Sequence, residues 1–236
     1  TKSAVFFALF WSLHPLRLES FAWVSGRKEL LCGFFILLSL ISAKRARSFK
    51  SDRYRISSLL TFTLSCLSKP SAVAVPGVFH LMKKKPSFFP TRKDIKSLIP
   101  FLFPAAITVF ATLYFHQQGG LNDTQESFFT RILYIPYSLF YLIVGTVSPF
   151  WHTEFFTTRH DIAGTLLYYL SFPAIAACII ALFKYQKRMN PNFLFGTVLC
   201  LATWLPTSGL VDTGPYFIAD RYTYLPHLGL LIAFSS

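Results

Sequence analysis

The sequence predicts an all-α fold, a polytopic transmembrane helical bundle of about seven to nine membrane-embedded helices. Three observations lead there. Of 236 residues, 53% are hydrophobic and only 14% charged, with a mean hydropathy of +0.47. A soluble domain of this length buries a core without needing repeated apolar runs of membrane-crossing length. The runs also end in basic clusters: fifteen of the 23 Lys and Arg fall within Lys44–Arg55, Lys83–Lys96 and Lys184–Arg188, where Asp52 and Asp94 are the only acids. The positive-inside rule puts all three clusters on the cytoplasmic side. Finally, the net charge of +13 is gathered at segment ends, so the expected partner is the lipid bilayer and no nucleic acid is expected.

Ala4 to Leu13 reads as the end of a helix that leaves the bilayer at His14. The stretch from His14 to Glu29 then carries six ionisable groups between two apolar segments. A charge at bilayer depth costs at least ~2.5 kcal/mol, so these groups belong at a membrane face or along a polar cavity. On a continuous helix Glu19, Trp23 and Arg27 would follow one another at four-residue spacing, and Arg17 and Lys28 would share another face, with Gly26 as the weak point. Leu30 to Ala43 re-enters and stops at Lys44-Arg45-Ala46-Arg47. Ile56 to Met82 is interrupted by Ser68-Lys69-Pro70 and by Pro76. With both of its ends cytoplasmic it reads as a hairpin of two short arms of roughly 20 Å each, with Lys69 at the tip. The alternative is a single span with Lys69 snorkelling. An ammonium at such a tip calls for a carboxylate or a bound phosphate beside it.

Leu98 to Phe115 crosses outward with Pro100 and Pro104 in its first turns. The polar loop from His116 to Arg131 holds the glycosylation triplet Asn122-Asp123-Thr124. Ile132 to Val147, broken by Pro136 and Gly145, reads as a membrane-surface or re-entrant helix on the outer side. Ile162 to Phe183 returns, Phe193 to Leu205 goes out, Pro206 to Pro226 is external, and His227 begins one more inward helix. Cys32, Cys66, Cys178 and Cys200 lie singly in apolar runs with neither a CxxC nor a nearby His, the pattern of buried inert thiols, and no metal site is expected. The chain opens at Thr1 inside one apolar segment and stops at Ser236 inside another, so it reads as a piece of a longer protein.

This topology collects His14 to Glu29, Lys69, His152 to His160 and Asp212 to Arg221 on the outer face, with eight of the ten acids. Isolated Arg, Lys, Asp, Glu and His beside Trp and Tyr suit an anionic headgroup held by cations, with a carboxylate near enough to take a proton. Ala219-Asp220-Arg221-Tyr222-Thr223-Tyr224-Leu225-Pro226 also fits an interfacial aromatic belt in which Asp220 pairs with Arg221.

Three blocks occur in order along nearly the whole chain: His14-Pro15-x-Arg17-x-Glu19 with Ala22-Trp23-Val24-Ser25-Gly26-Arg27-Lys28-Glu29-Leu30-Leu31, then Ser68-Lys69-Pro70 with Pro76, then Ala219 to Pro226. Together they resemble the membrane region of the tetratricopeptide-repeat-containing O-mannosyltransferase-like family, which are GT-C-type glycosyltransferases. The resemblance implies a GT-C-like membrane region over residues 1–236, with a catalytic outer loop upstream of Thr1 and tetratricopeptide repeats downstream of Ser236. It implies inverting transfer of a sugar, such as mannose, from a polyprenyl-phosphate donor to a hydroxyl acceptor on protein, at the periplasmic or lumenal face. The setting would be a bacterial inner membrane or the endoplasmic reticulum. The lipid-linked sugar is a substrate, and no cofactor is implied. Arg27, Lys69 and Arg221 would meet the donor phosphate, His14 and Glu19 would support a main carboxylate lying upstream, and Arg17, Lys28, Asp220 and Tyr222 would support the site. The sequence departs from the family at Arg17, where His is frequent, and in the polar stretch Ser148 to His152.

Two other classes compete. A transporter or lipid flippase would also place polar residues at broken helices, though usually near the midplane and in paired halves. A non-catalytic membrane scaffold is the third. Charges gathered on one face favour interfacial catalysis.

Overall fold

The structure is a computed structural model that describes residues 2–82, 91–118, 128–148, 166–185, 190–210 and 218–235. These residues are 92% helical with no strand among them, an all-α chain. The chain divides into two compact units, Ser20–Gly119 and the remainder, Thr1–Glu19 with Gly120–Ser236.

The first helices are α1 (Lys2–Leu13) and the short α2 (Leu18–Ala22), joined by a 3-10 turn over Pro15–Arg17. His14 is extended (φ −65°, ψ 134°) because the ring of Pro15 excludes the helical region for the residue before it. A second extended residue, Trp23 (φ −86°, ψ 128°), and a 3-10 turn over Val24–Gly26 follow. The continuous helix that would have lined up Glu19, Trp23 and Arg27 therefore does not form.

Within the unit Ser20–Gly119, α3 (Arg27–Phe49) and α4 (Asp52–Ser68) form an antiparallel hairpin. α3 runs on through Lys44 to Arg47, so the basic cluster that was expected to stop the segment lies inside the helix. Charge ends a stay in hydrocarbon; it does not end a helix, and Lys and Arg are good helix formers. The turn is made at Lys50, whose left-handed backbone (φ 50°) costs about 1–2 kcal/mol for a residue with a Cβ. Cys32, Gly33, Ile36, Ser39 and Leu40 of α3 recur at three- and four-residue spacing, as do Ser58, Phe62, Ser65 and Cys66 of α4, and both sets are buried. Ser39 Oγ donates to the Ser58 carbonyl at 2.8 Å and Ser58 Oγ donates to that of Ser39 at 3.0 Å. Small hydroxyl residues let helices approach closely and supply polar contacts in apolar surroundings.

α4 ends at Lys69 (φ −156°, ψ 132°), again the residue before a proline. A 3-10 stretch, Pro70–Met82, forms the second arm. The expected break at Lys69 between two helical arms is present, and the arms are longer than anticipated. The 17 residues of α4 reach about 25 Å, and the 13 residues of the 3-10 arm, rising about 2.0 Å each, reach equally far. Phe79 of that arm and Phe62 of α4 meet Phe101 of α5 (Arg92–Gln118) edge to face, with ring centroids 4.9 and 5.6 Å apart. At the start of α5 the Asp94 carboxylate reaches back to Thr91, whose backbone N–H and hydroxyl both donate to Asp94 Oδ2, at 2.8 and 2.6 Å, half of a capping box. Its Arg92–Phe115 portion is the one span among the described residues long and apolar enough by itself to cross a membrane, and only 11% of its apolar window is buried. Pro70–Met82, Arg131–Val147 and Tyr168–Ala181 are shorter apolar helices.

The other unit contains α1, α6 (Phe128–Val147), α7 (Leu166–Tyr185), α8 (Pro191–Trp204) and α9 (Tyr224–Phe234). Asn190 caps α8 by accepting from the Asn192 N–H at 3.0 Å, with Pro191 at the first helical position. α8 and α9 cross at Gly196 and Gly229. A Cβ on Gly196 would lie 2.3 Å from the backbone nitrogen of Ala233, and one on Gly229 would lie 2.5 Å from that of Cys200. Gly196-x-x-x-Cys200 and Gly229-x-x-x-Ala233 thus put small residues on both sides of the crossing. Gly196→Ala is expected to cost about 3 kcal/mol, because a backbone clash cannot be relieved by a rotamer change. Thermal unfolding in detergent checks this. Gly77→Ala, where a Cβ meets nothing within 4 Å, is the neutral control.

Cys32, Cys66 and Cys200 are buried free thiols, whereas Cys178 is exposed, a correction to the expectation that all four are buried. The Asn122-Asp123-Thr124 triplet and His152 to His160 lie outside the described residues.

Candidate functional site

The unit formed by Thr1–Glu19 and Gly120–Ser236 holds a polar joint between the segment around His14–Glu19 and the segment Asp220–His227. Pro15 turns the chain sharply after α1, and His14 Nδ1 accepts the Leu16 N–H at 3.3 Å. Arg17 is thereby directed inward and is 1% exposed. Its Nη2 donates to Thr223 Oγ1 at 2.8 Å and to His227 Nδ1 at 3.3 Å. Its guanidinium carbon also lies 5.2 Å from the ring centre of Tyr224 and 5.9 Å from that of Trp11. Ring faces stabilise a desolvated cation more strongly than an exposed one. His14 packs edge-on against His227 with centroids 4.7 Å apart and is buried at the joint. Trp11 Nε1 donates to the Tyr224 carbonyl at 3.1 Å, a further tie between the segments.

The outermost tie is the most relevant to anion chemistry. Glu19 Oε2 accepts the backbone N–H of Arg221 at 2.8 Å, while Oε1 accepts from Arg221 Nη1. The two side chains are 13% and 9% exposed, Arg221 first. Tyr222 places its ring 5.1 Å from the guanidinium carbon. Burial alone pushes the Arg221 pKa down, but attraction to Tyr222 and Glu19, with hydrogen bonding to both, leaves it above the ordinary value. Asp220 accepts from the Tyr141 hydroxyl of α6 and, through its carbonyl, from Thr223 Oγ1 at 2.7 Å. Arg221 thus clasps the Glu19 carboxylate, a pairing across the joint. A small cavity of about 20 Å³ beside this turn, lined by Ser138, Tyr141, Trp204, Thr207, Tyr222 and Thr223 among others, has room for about one water.

In the unit Ser20–Gly119 a second pair forms. The Lys69 ammonium donates to Glu29 Oε1, joining the tip after α4 to the first turn of α3, with side chains 12% and 3% exposed, Lys69 first. Arg27 and Lys28, also on that first turn, are exposed.

Of the residues singled out from sequence, His14, Arg17, Glu19, Asp220, Arg221 and Tyr222 are thus gathered in one unit. Arg27, Lys28 and Lys69 belong to the other. Sequence reasoning did not assign Tyr141, Thr223 or His227 to the site, and it treated Glu29 only as one charge in a rim. Glu29 lies 40 residues from Lys69, and Glu19 lies 202 from Arg221. Neither separation carries a local signal. Among the described residues, no group of three His, Cys, Asp or Glu could hold a metal ion. No protein-family model matches the chain, and no curated protein or solved structure matches it either.

Proposed function

We propose that the chain is the membrane region of a multi-pass glycosyltransferase that moves a sugar from a polyprenyl-phosphate donor to a hydroxyl acceptor on the periplasmic or lumenal face. The observation that carries this reading is the low exposure of two carboxylate-paired cations, Arg221 with Glu19 and Lys69 with Glu29, in blocks that also carry the family resemblance. A cation kept from water at the polar end of apolar helices stabilises phosphate charge better than a hydrated one. In this reading α3, α4, the Pro70–Met82 arm and α5 are membrane-embedded, the basic turn between α3 and α4 faces the cytoplasm, and Lys69, about 25 Å of helix away, lies toward the other face. α6 to α9 complete a bundle of seven to nine embedded helices.

In the reaction the acceptor oxygen attacks the anomeric carbon while its proton passes to a carboxylate base. The bond from that carbon to the phosphate oxygen breaks, and the phosphate keeps the electron pair. Arg221 stabilises the growing negative charge in its unit. Arg27, Lys28 and Lys69 are the cations that the other unit offers to the same class of ligand.

The test uses the complete protein, reconstituted with a radiolabelled polyprenyl-phosphate sugar and a hydroxyl-bearing peptide. Label on the peptide is the expected result. Movement of the lipid between leaflets with no label transferred would instead favour a flippase.

A further inference from the structure

The Glu19–Arg221 clasp has the form of a phosphate site filled by an internal anion. Two oxygens of one planar anion are held by two different donors of the same residue, the backbone N–H at 2.8 Å and the guanidinium Nη1. That donor set is equally able to hold two oxygens of a phosphate, and a guanidinium matches phosphate as well as carboxylate geometry.

The donors and the carboxylate sit on different short elements, the four-residue turn Asp220–Thr223 and the five-residue α2. Tyr222 supports the guanidinium, the Arg17–Thr223 hydrogen bond of 2.8 Å holds the turn from within, and Tyr141 holds Asp220. Glu19 instead rides on α2, a helix of five residues bounded by a 3-10 turn and by the extended Trp23. A helix this short is not stable on its own account, and a change of the Glu19 rotamer alone would free both donors.

We propose that Arg221 forms a subsite for a lipid-linked phosphate and that Glu19 occupies it until the phosphate displaces the carboxylate. This deepens the glycosyltransferase reading and rests on it. The exchange breaks no covalent bond; one anion replaces another on the same donors. It also has a use after transfer. The sugar-linked donor is a phosphodiester with one negative charge, whereas the product is a phosphomonoester that carries up to two. A fixed cation holds the product more tightly than the substrate, and the returning Glu19 carboxylate expels it.

Removing the competing anion should therefore tighten phosphate binding and slow release. The complete protein in phosphatidylcholine nanodiscs is titrated with polyprenyl phosphate, and the same preparation is assayed for transfer. Glu19→Gln is expected to bind polyprenyl phosphate roughly tenfold more tightly, the scale of one charge-assisted contact, and to lower both KM for the lipid-linked sugar and kcat. Arg221→Ala is expected to weaken binding by at least a comparable factor. If Glu19→Gln does not fold, Glu19→Asp, which keeps the charge but shortens its reach, is expected to tighten binding by a smaller factor. Unchanged or weaker binding in the folded Glu19 variant would overturn the exchange and leave the clasp purely structural. Inorganic phosphate binding as tightly as the lipid would overturn the assignment to a lipid ligand. Absence of polyprenyl phosphate binding by the unaltered protein is a separate outcome and would sink the glycosyltransferase reading itself.

Discussion

Lys69→Ala and Glu29→Ala are each expected to destabilise the protein by about 3–5 kcal/mol, because each leaves an uncompensated charge where its partner was. The magnitude follows from burial: the side chains are 12% and 3% exposed, so solvent does little to screen the survivor. A surface pair would cost about 1 kcal/mol or less. Replacing both at once, Glu29→Leu with Lys69→Met, removes the charges together and is expected to recover most of the loss. The unfolding midpoint of the complete protein in detergent reads this directly. Single variants costing less than about 1 kcal/mol would mean that water reaches the pair.

The second large effect is on turnover. Arg221→Ala is expected to lower sugar transfer by 100-fold or more, on the order of 3 kcal/mol in barrier, if the guanidinium stabilises the leaving phosphate. Since Arg221 is 13% exposed and clasps Glu19, this variant also strands a carboxylate, and folding must be monitored alongside. Arg221→Lys separates the two effects. It keeps a positive charge facing Glu19 but loses the planar fork, so stability should be largely retained while transfer recovers only in part. Arg27 is exposed on the first turn of α3, so Arg27→Ala should leave folding nearly unchanged and any loss of transfer can be read as function.

Much of the helical order was legible because it is written locally. Apolar runs gave the helices, and the prolines gave the breaks at His14 and Lys69, since the residue before a proline is steered to extended geometry whatever surrounds it. The end of α3 differs for a physical reason: a basic cluster is a signal about burial in hydrocarbon, whereas Lys and Arg are good helix formers, so the helix continues through Lys44 to Arg47. The long 3-10 arm from Pro70 to Met82 has no clear periodic signature apart from Pro76. At the candidate site, the charged residues were legible as charges but their pairings were not. Glu19 and Arg221 meet only because α1, the Pro15 turn and the end of the chain pack together. Tyr141 and Thr223 are neutral residues in ordinary surroundings, so no sequence pattern separates them from core side chains.

The most direct measurement is donor choice in sealed vesicles that hold the complete protein in one orientation. A polyprenyl-phosphate sugar and the corresponding nucleotide sugar are supplied separately, on the face opposite the basic α3–α4 turn, with a hydroxyl-bearing peptide on the same side. The expected result is transfer from the lipid-linked donor alone, with inversion at the anomeric carbon. Transfer from the nucleotide sugar without any lipid-linked donor, or transfer only when donor and acceptor are on the side of the basic turn, would contradict the account.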